Sequence, residues 1–359
     1  MNNDWILQNY QFDLPESRIA QMPAAARDGS RLLVLERRSG KTVDAYFRNL
    51  PAFLEQPSLF VANNAGVIPA RLAGTRQTGG KVEVVLLSPL PLMQAATDRE
   101  GNTVAPVDAL VRPAKTCRIR ETVTLGDNFS ITILGKSNFG KIAGMLRWRG
   151  SLAEQLIQWG KLPLPPYIKR APTPRDAERY QTVYARQDKA GSIAAATAGL
   201  HFTPALRNRL AKAGHAWAEV TLYVGYGTFS PVRSEDIREH VMHSEYIEIS
   251  EETALAVRNA KAAGMPVVAV GTTAVRSLEA CLAATGGINA FTGWSDIFLY
   301  PGKPIRVADR LITNFHLPQS SLLMLVAAFA GREQILAAYA HAVQQEYKFF
   351  SYGDAMFIV

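Results

Sequence analysis

The sequence predicts an α/β protein with an all-β segment inserted into it. Strands and capped helices alternate from residue 203 onward, only short β-prone runs occur between residues 65 and 150, and buried-strand patterns precede that segment. The 359 residues, of which 48% are hydrophobic and 19% charged, can bury a large core. We therefore predict an α/β domain formed by residues 1–64 and 151–359, and a β domain formed by residues 65–150.

The first elements are predicted from apolar runs at residues 32–35 and 59–62, which are typical of buried strands. Inside the insert, glycine-containing turns at residues 78–80 and 126–128 separate β-prone runs. The predicted strands of the insert are residues 81–88, 117–125 and 129–134.

The second half of the chain carries clear signals for the starts and ends of helices. Ser151 and Glu154 form a capping-box pattern, and Gly160 ends that helix. A stiff, proline-rich connector is expected at residues 162–167, and Ser320 caps a strongly apolar helix. The other predicted elements are helices 203–214, 250–264 and 272–284, and strands 218–224, 267–270, 297–300 and 307–313.

Cysteine usage and the N-terminus bear on the compartment. Cys117 and Cys281 are the only cysteines, too few for a disulfide framework or a thiolate metal site, which favours a reducing environment. The first residues carry Asp4, Asp13 and Glu16, unlike a signal peptide, and no apolar run reaches the roughly 18 residues of a membrane span. We expect a cytoplasmic protein that contacts no membrane.

The net charge of +8 is concentrated in the insert. Residues 67–150 contain twelve Lys or Arg against six Asp or Glu, a balance of +6, so the rest of the chain carries only +2. Cationic side chains gain free energy when they release counterions from phosphates, so this asymmetry indicates a polyanionic partner. The alternative is a solvated basic surface without a partner.

The segment Gly191 to Phe202, G-S-I-A-A-A-T-A-G-L-H-F, follows neither a helical nor a strand period. We expect a loop of small residues in which Thr197 and His201 supply the chemistry. Its position before a helix start suits a polar or anionic ligand. The alternative is a tight crossover with His201 buried in the core.

Three familiar kinds of site are incomplete in this sequence. Residues 135–141 have P-loop spacing, but Ile142 stands where a hydroxyl must reach magnesium. Gly225 and Gly227 follow a strand without the rest of a dinucleotide fingerprint. Four possible metal ligands lie close together in the sequence, namely Glu239, His240, His243 and Glu245. Because the alternation of a strand would direct their side chains to different faces, no metal is expected.

Polar clusters recur at the ends of predicted elements, from residue 180 to residue 354. In α/β folds, ligands gather at the carboxyl ends of strands, so the clusters that follow strands can share one cleft. Taken singly, each has a structural explanation, such as Thr272 as a helix cap or Asn314 as a turn residue.

Eight strings in order resemble the S-adenosylmethionine:tRNA ribosyltransferase-isomerase family of the queuosine pathway. They are L-P-L-P-P-Y-I, Y-Q-T-V-Y, T-A-G-L-H-F, V-G-x-G-T-F-x-P-V, H-x-M-H-S-E, V-G-T-T-x-V-R-S-L-E, T-N-F-H-L-P and F-S-Y-G-D-A-M. The resemblance implies a large barrel-like α/β domain with a small inserted β-barrel. It also implies transfer and isomerisation of the ribosyl part of S-adenosylmethionine onto 7-aminomethyl-7-deazaguanine in tRNA, giving epoxyqueuosine-tRNA, adenine and methionine.

The resemblance and the chemistry together suggest residue roles. His201, His243 and Glu245 are the titratable candidates for acid–base catalysis. Tyr180, Tyr184 or Phe202 would face the sulfonium, and Arg276 would hold the methionine carboxylate or a phosphate. The further substrate-binding candidates are Gln181, Thr182, Thr197, Gly199, Gly225, Gly227, Thr228, Thr272, Thr273, Asn314, His316, Tyr352 and Asp354.

The implied partners are S-adenosylmethionine, as co-substrate rather than prosthetic group, and the anticodon loop of tRNAs with GUN anticodons, bound by a monomer. Basic side chains with a nearby aromatic such as Trp148 suit single-stranded RNA. The RNA-binding candidates are Arg71, Arg118, Arg120, Arg147 and Arg149.

Two departures from the family pattern stand out: Ala65-Gly66 replaces a hydroxyl residue followed by Arg or Lys, and Ala196 replaces proline. A lost cation removes a charge-assisted hydrogen bond worth roughly 1.5 to 3 kcal/mol. The alternative function is therefore a non-catalytic or repurposed RNA-binding paralogue. A methyltransferase that uses the same co-substrate is a third reading, and it would leave S-adenosylhomocysteine.

Overall fold

The computed structural model describes residues 3–225, 227 and 232–359, and it confirms the α/β class with an inserted β-barrel. Before the barrel, the chain forms two buried strands at the positions that apolar runs predicted, together with two further strands. These strands are β1 (Arg31–Leu35), β2 (Thr42–Tyr46), β3 (Leu59–Asn63) and β4 (Ala65–Val67).

The barrel is a closed ring of six strands. It closes because β11 pairs with both β10 and β8, while β5 pairs with both β6 and β9. Alternate residues of each strand fill its interior, as Phe129, Ile131 and Ile133 do. The strands of the insert are β5 (Arg71–Arg76), β6 (Lys81–Leu86), β7 (Ala96–Thr97), β8 (Thr103–Arg112), β9 (Thr122–Gly126), β10 (Phe129–Lys136) and β11 (Lys141–Trp148).

The strand predicted from residue 117 begins only at Thr122. Residues 117–121 form a turn, in which Arg120 has a φ of 67° and the Glu121 carboxylate accepts a hydrogen bond from Arg118 N. Glu121 also pairs with Arg76 at 2.8 Å. A side-chain acceptor thus replaces the ladder that the β-prone sequence suggested.

After the barrel, strands and helices alternate largely as predicted. The N-caps at Ser151, Thr203, Ser250 and Ser320 each accept a hydrogen bond from a first-turn N–H. These elements are α1 (Leu152–Trp159), β12 (Gly160–Lys161), α2 (Pro174–Arg179), β13 (Arg186–Ser192), α3 (Pro204–Lys212), β14 (Ala216–Leu222), β15 (Glu245–Ile249), α4 (Glu251–Ala262), β16 (Val267–Val270), α5 (Thr272–Thr285), β17 (Phe291–Ser295), β18 (Arg310–Asn314), α6 (Ser321–Ala330), α7 (Arg332–Gln344) and β19 (Ala355–Ile358).

Nine strands form the large sheet, in the order β17-β15-β14-β3-β16-β18-β19-β1-β2. The four central strands β14, β3, β16 and β18 are mutually parallel, so their carboxyl ends lie at one edge. β19 runs antiparallel to β18, with Ala355 opposite Asn314, so the residues that precede β19 reach the same edge. The sheet therefore brings the polar residues that follow β16 and β18, and those that precede β19, to one edge.

Two predicted strands are wrong in position. Residues 297–300 form no strand, although Phe298 and Leu299 are buried; their burial comes from core packing rather than from a ladder. The strand predicted from residue 307 starts at Arg310, because Glu279 Oε1 accepts hydrogen bonds from the backbone N–H groups of Arg306 and Val307.

The barrel strands fall within the predicted insert at residues 65–150, but the junction is shared. β4 pairs with β13 of the large domain, and β12 pairs with β5 of the barrel. The Gln181 side chain adds two hydrogen bonds to the backbone of Val67, at 3.0 and 2.6 Å. These contacts fasten the barrel to the large domain.

Within residues 3–225, 227 and 232–359, no single helix is both long and apolar enough to cross a membrane. Only α6 and α7 taken as a pair reach the required length and composition, and they are bent by 114° at the break between them.

Candidate active site

A cavity of about 360 Å³ lies at the edge of the sheet where the central strands end. Residues 194–198, residues 271–273 after β16, residues 313–320 after β18, and residues 350–351 before β19 form most of its wall. The structure therefore brings into one cavity the predicted residues Tyr180, Thr197, Thr272, Thr273, Asn314 and His316.

The wall of the cavity is uncharged. None of its described lining residues is Asp, Glu, Lys or Arg. The lining imidazole, His316, shares a hydrogen bond between Nε2 and Thr313 Oγ1 at 2.9 Å, and burial lowers its pKa to about 3. The cavity thus suits a ligand that supplies its own charges.

Aromatic side chains form one side of the cavity. The rings of Tyr167 and Phe350 lie 4.6 Å apart, and the Tyr167 hydroxyl shares a hydrogen bond with Ser351 Oγ at 2.6 Å. Burial raises the pKa of Tyr180 to about 12, so this phenol stays protonated at neutral pH. The π faces of such rings attract cations.

One buried polar atom of a lining residue, Thr273 Oγ1, has no hydrogen-bond partner among the described residues. Asn314 is held from two sides, because its amide nitrogen donates to Phe350 O at 2.9 Å and its side chain hydrogen-bonds His201. Since an unpaired buried polar atom costs roughly 1–3 kcal/mol, the Thr273 hydroxyl indicates a place for a ligand group.

His201 lies behind Asn314 rather than in the wall of this cavity. Its Nδ1 shares a hydrogen bond with Ser30 Oγ at 2.7 Å, its ring packs on Phe47, and its side chain also hydrogen-bonds the Asn314 side-chain amide. Burial lowers the pKa of His201 to about 4, so the imidazole is neutral at pH 7.

The segment expected to be a loop is partly ordered as a 3₁₀ helix, Thr197–His201. Gly199 is required there, because a Cβ at this position would lie 2.0 Å from the Tyr184 hydroxyl oxygen. The same Cβ would lie 2.7 Å from the Thr182 Cγ2 methyl. The segment lacks a helical or strand period in its sequence because Gly199 is closely packed, not because the segment is unstructured.

Glu245 and Arg276 form a buried ion pair, and Glu245 Oε1 also accepts a hydrogen bond from Gly225 N at 2.8 Å. Neither side chain lines the cavity. His243 is exposed and packs on Gly227, where a Cβ would lie 2.4 Å from the ring. The described residues contain no group of three or more His, Cys, Asp or Glu placed to hold a metal ion.

Several other predicted residues lie outside the cavity wall. Phe202 is fully buried against Phe47 and Trp217, and Gln181 holds the domain junction. The Tyr352 hydroxyl donates to Asp176, and the Asp354 carboxylate accepts from Arg31 N and Lys348 N. Thr228 lies outside the described residues.

The predicted RNA-binding arginines divide between the two ends of the barrel. Arg118 and Arg120 are exposed beside Lys136, at the end where the β10–β11 turn presents Phe139, which is 83% exposed. Arg147 and Arg149 lie near the opposite end, and Arg147 pairs with Asp98 and Glu100 at 2.9 and 2.6 Å.

Arg71 lies between the barrel and the cavity. Its Nη2 donates to Leu164 O in the connector at 3.3 Å, and its Nε is 3.8 Å from Glu83. It lines a small groove with Arg112 that shares Pro166 with the main cavity. The end of the barrel that carries Arg118, Arg120 and Phe139 is the end where Arg112 finishes β8. We call Arg71, Arg112, Arg118, Arg120 and Phe139 together the basic rim.

Sequence reasoning missed several lining residues, all inside strings that it had singled out: Tyr167, Gly271, Phe315, Phe350 and Ser351. The small and apolar members carried no chemical signal of their own. Gly271 and Phe315 directly follow predicted strands, and this location is the signal that could have identified them.

The fold and the cavity define an α/β protein with a cavity of about 360 Å³ at its strand ends, next to a basic β-barrel. The chain belongs to the queuosine biosynthesis protein family, which it matches over residues 7–358.

Relatives match over almost their whole length. A protein of Nitratidesulfovibrio vulgaris strain DP4 named S-adenosylmethionine:tRNA ribosyltransferase-isomerase is 54% identical over 362 residues, which cover 99% of this chain and 98% of the relative. A protein of the same name from Natranaerobius thermophilus is 46% identical, covering 98% and 99%. A crystal structure of S-adenosylmethionine tRNA ribosyltransferase from Thermotoga maritima is 33% identical, with a TM-score of 0.54 and coverage of 98% and 100%.

Proposed function

We propose that this protein is an S-adenosylmethionine:tRNA ribosyltransferase-isomerase. In the proposed reaction, the ribosyl part of S-adenosylmethionine is transferred and isomerised onto 7-aminomethyl-7-deazaguanine at the wobble position of tRNA. The products are epoxyqueuosine-tRNA, adenine and methionine. The full-length similarity to relatives of that name supports the reaction type.

The observation that carries the proposal is the uncharged cavity of about 360 Å³. Its volume is in the range of small-molecule sites, about 300–1,000 Å³. Aromatic faces at Tyr167, Tyr180 and Phe350 suit a sulfonium cation. A small-residue floor at residues 194–198 leaves room for a flat base to lie against the backbone.

Proton transfer in this site falls to neutral imidazoles. Removal of a proton beside the sulfonium needs a base with a free lone pair. Burial holds both His316 and His201 neutral at pH 7, but only His316 lines the cavity, whereas His201 reaches it through Asn314. The ion pair between Glu245 and Arg276 supports the adjacent backbone through Gly225.

The basic rim is the proposed contact for the anticodon loop. Arg118 and Arg120 have no ion pair with a described residue, whereas Arg147 is neutralised by two carboxylates. Phe139 is exposed for base stacking, with the Arg233 guanidinium 5.0 Å from its ring. We propose a monomer that acts in the cytoplasm on tRNAs with GUN anticodons; its two free, buried cysteines suit a reducing compartment.

The small-molecule products separate this function from the two competing ones. The purified protein is incubated with labelled S-adenosylmethionine and tRNA that carries 7-aminomethyl-7-deazaguanine. We expect adenine and methionine, released only when the modified base is present. Formation of S-adenosylhomocysteine would identify a methyltransferase, and tRNA binding without turnover would identify an RNA-binding paralogue. The matched control is the same tRNA with guanine at the wobble position.

A further inference from the structure

A chain of buried hydrogen bonds leads from the residue before β1 to the wall of the cavity. Ser30, His201 and Asn314 are 3%, 4% and 2% exposed. Ser30 Oγ lies 2.7 Å from His201 Nδ1, the His201 side chain hydrogen-bonds the Asn314 side chain, and Asn314 Nδ2 donates to Phe350 O at 2.9 Å. Of the three buried side chains, only Asn314 lines the cavity.

The bond between His201 and Asn314 has a defined direction. Since the Asn314 amide nitrogen donates to Phe350 O, the amide oxygen is the acceptor at the other end of the side chain. Burial lowers the pKa of His201, whereas the hydrogen bond with Asn314 raises it, which is the effect of an acceptor that faces a ring N–H. Because His201 Nδ1 faces Ser30, the donor to Asn314 Oδ1 is the Nε2–H group.

Ser30 selects this tautomer of His201. A neutral imidazole carries a single N–H, so a histidine that donates through Nε2 must accept through Nδ1. The Ser30 hydroxyl supplies the matching donor at 2.7 Å, while its other acceptor, Arg27 O, is more distant at 3.4 Å. Loss of this hydroxyl would leave Nδ1 free to carry the proton instead.

We infer that Ser30 is a positioning residue, which acts on the ligand through His201 and Asn314. His201 holds the Asn314 oxygen, so the amide turns its second N–H, which donates to no described residue, to an acceptor of the ligand. This assignment rests on the proposed function and deepens it. Adenine departs with the electron pair of its bond to ribose, so its ring nitrogens gain negative charge, and a fixed N–H donor stabilises that charge.

The tautomer of His201 is measured first, in the wild type. Long-range ¹H–¹⁵N NMR spectra of protein with ¹⁵N-labelled histidine distinguish a protonated from an unprotonated ring nitrogen. The signals of His201 are those missing from the spectrum of His201→Gln. We expect Nε2–H in the wild type and a substantial Nδ1–H population in Ser30→Ala. An Nδ1–H tautomer in the wild type, or an unchanged tautomer in the variant, would overturn the proposal.

Steady-state release of adenine then measures the effect on the reaction. Ser30→Ala should lower kcat by about tenfold, the scale of one hydrogen bond, and should change KM for S-adenosylmethionine far less, because the donor acts mainly on the departing base. An unchanged kcat, or a rise in KM alone, would contradict a positioning role.

Ser58 offers a matched control, since it is fully buried beside a different histidine. Its backbone N–H donates to His215 Nδ1 at 3.1 Å, and its hydroxyl donates to Gln56 O at 3.1 Å. Ser58→Ala therefore removes a buried hydroxyl without removing a bond to an imidazole, and kcat should stay at the wild-type value. Thermal unfolding shows that both alanine variants are folded at the assay temperature. An equal loss of kcat in Ser58→Ala would reduce the effect at Ser30 to a general loss of packing and overturn the proposal.

A double-mutant cycle tests the route through Asn314. In an Asn314→Ala background, Ser30→Ala should lower kcat little further, because the side chain that it positions is gone. A full additional loss would show that Ser30 acts by another route. Failure of the proposed function looks different: the wild type would then release no adenine, although His201 still showed the Nε2–H tautomer.

Discussion

At the scale of the residue, burial rather than ion pairing sets the charge of the histidines at the site. The pKa of His201 falls to about 4 and that of His316 to about 3, in each case chiefly because burial disfavours the imidazolium. The sequence identified His201 as a reactive candidate, but not its depth. That depth comes from Ser30 and Phe47, which are about 150 residues or more distant along the chain.

His201 should make the protein sensitive to acid. Its pKa in the folded state lies below the unfolded value of 6.5, so its contribution to stability is fully present above pH 6.5 and is lost as the pH falls towards 4. His201→Gln cannot take up this proton. Thermal unfolding between pH 7.5 and 4.5 should therefore decline less steeply in the variant, and parallel curves would show that His201 is not buried as a neutral group.

His201→Ala should also lower turnover by about 100-fold, the scale of a positioned acid or base. The variant should still fold, and its affinity for S-adenosylmethionine should change far less than its turnover. Steady-state release of adenine measures the effect. Normal turnover would mean that His201 has only a packing role.

Ala196→Pro should stabilise the protein by roughly 0.4 to 1 kcal/mol, because proline restricts the unfolded chain. The φ of Ala196 is already −72°, and its N–H donates to no described residue, so proline costs no hydrogen bond. Denaturant unfolding measures the change, and turnover should hold or rise. A strongly destabilised variant would show that the backbone here rejects proline.

At the scale of the element, the helix starts at Ser151, Thr203, Ser250 and Ser320 were predicted because a cap is a local signal, whereas α2 and α7 were not predicted. Strands were predicted less well, because a ladder needs a partner that the local sequence does not contain. Residues 297–300 are part of no strand although Phe298 and Leu299 are buried. Residues 117–121 form a turn that is held by a hydrogen bond from Arg118 N to the Glu121 carboxylate.

The two ends of the barrel should differ in their contribution to RNA binding. Arg118→Gln with Arg120→Gln should weaken tRNA binding and flatten its salt dependence by about one unit of slope per lost phosphate contact. Arg147→Gln with Arg149→Gln is the matched control and should have a smaller effect, since Arg147 is already paired. The measurement is tRNA affinity at several salt concentrations. A larger effect of the Arg147 and Arg149 substitutions would show that tRNA binds the other end of the barrel.

At the scale of the whole molecule, the parallel central strands explain why scattered clusters converge. The sequence predicted a shared cleft from position after strands, and residues after β16 and β18 do meet there. It could not predict that Glu245 and Arg276 would neutralise each other, because that pairing depends on how α5 packs against β15. Local patterns locate a site, whereas tertiary packing decides which of its charges remain free.

The most direct test of the account is mass spectrometry of the wobble nucleoside. tRNA that contains 7-aminomethyl-7-deazaguanine is incubated with the purified protein and S-adenosylmethionine, then digested to nucleosides. We expect the 7-aminomethyl-7-deazaguanine nucleoside to disappear and epoxyqueuosine to appear in equal amount. An unchanged nucleoside, or one that has gained only a methyl group, would contradict it.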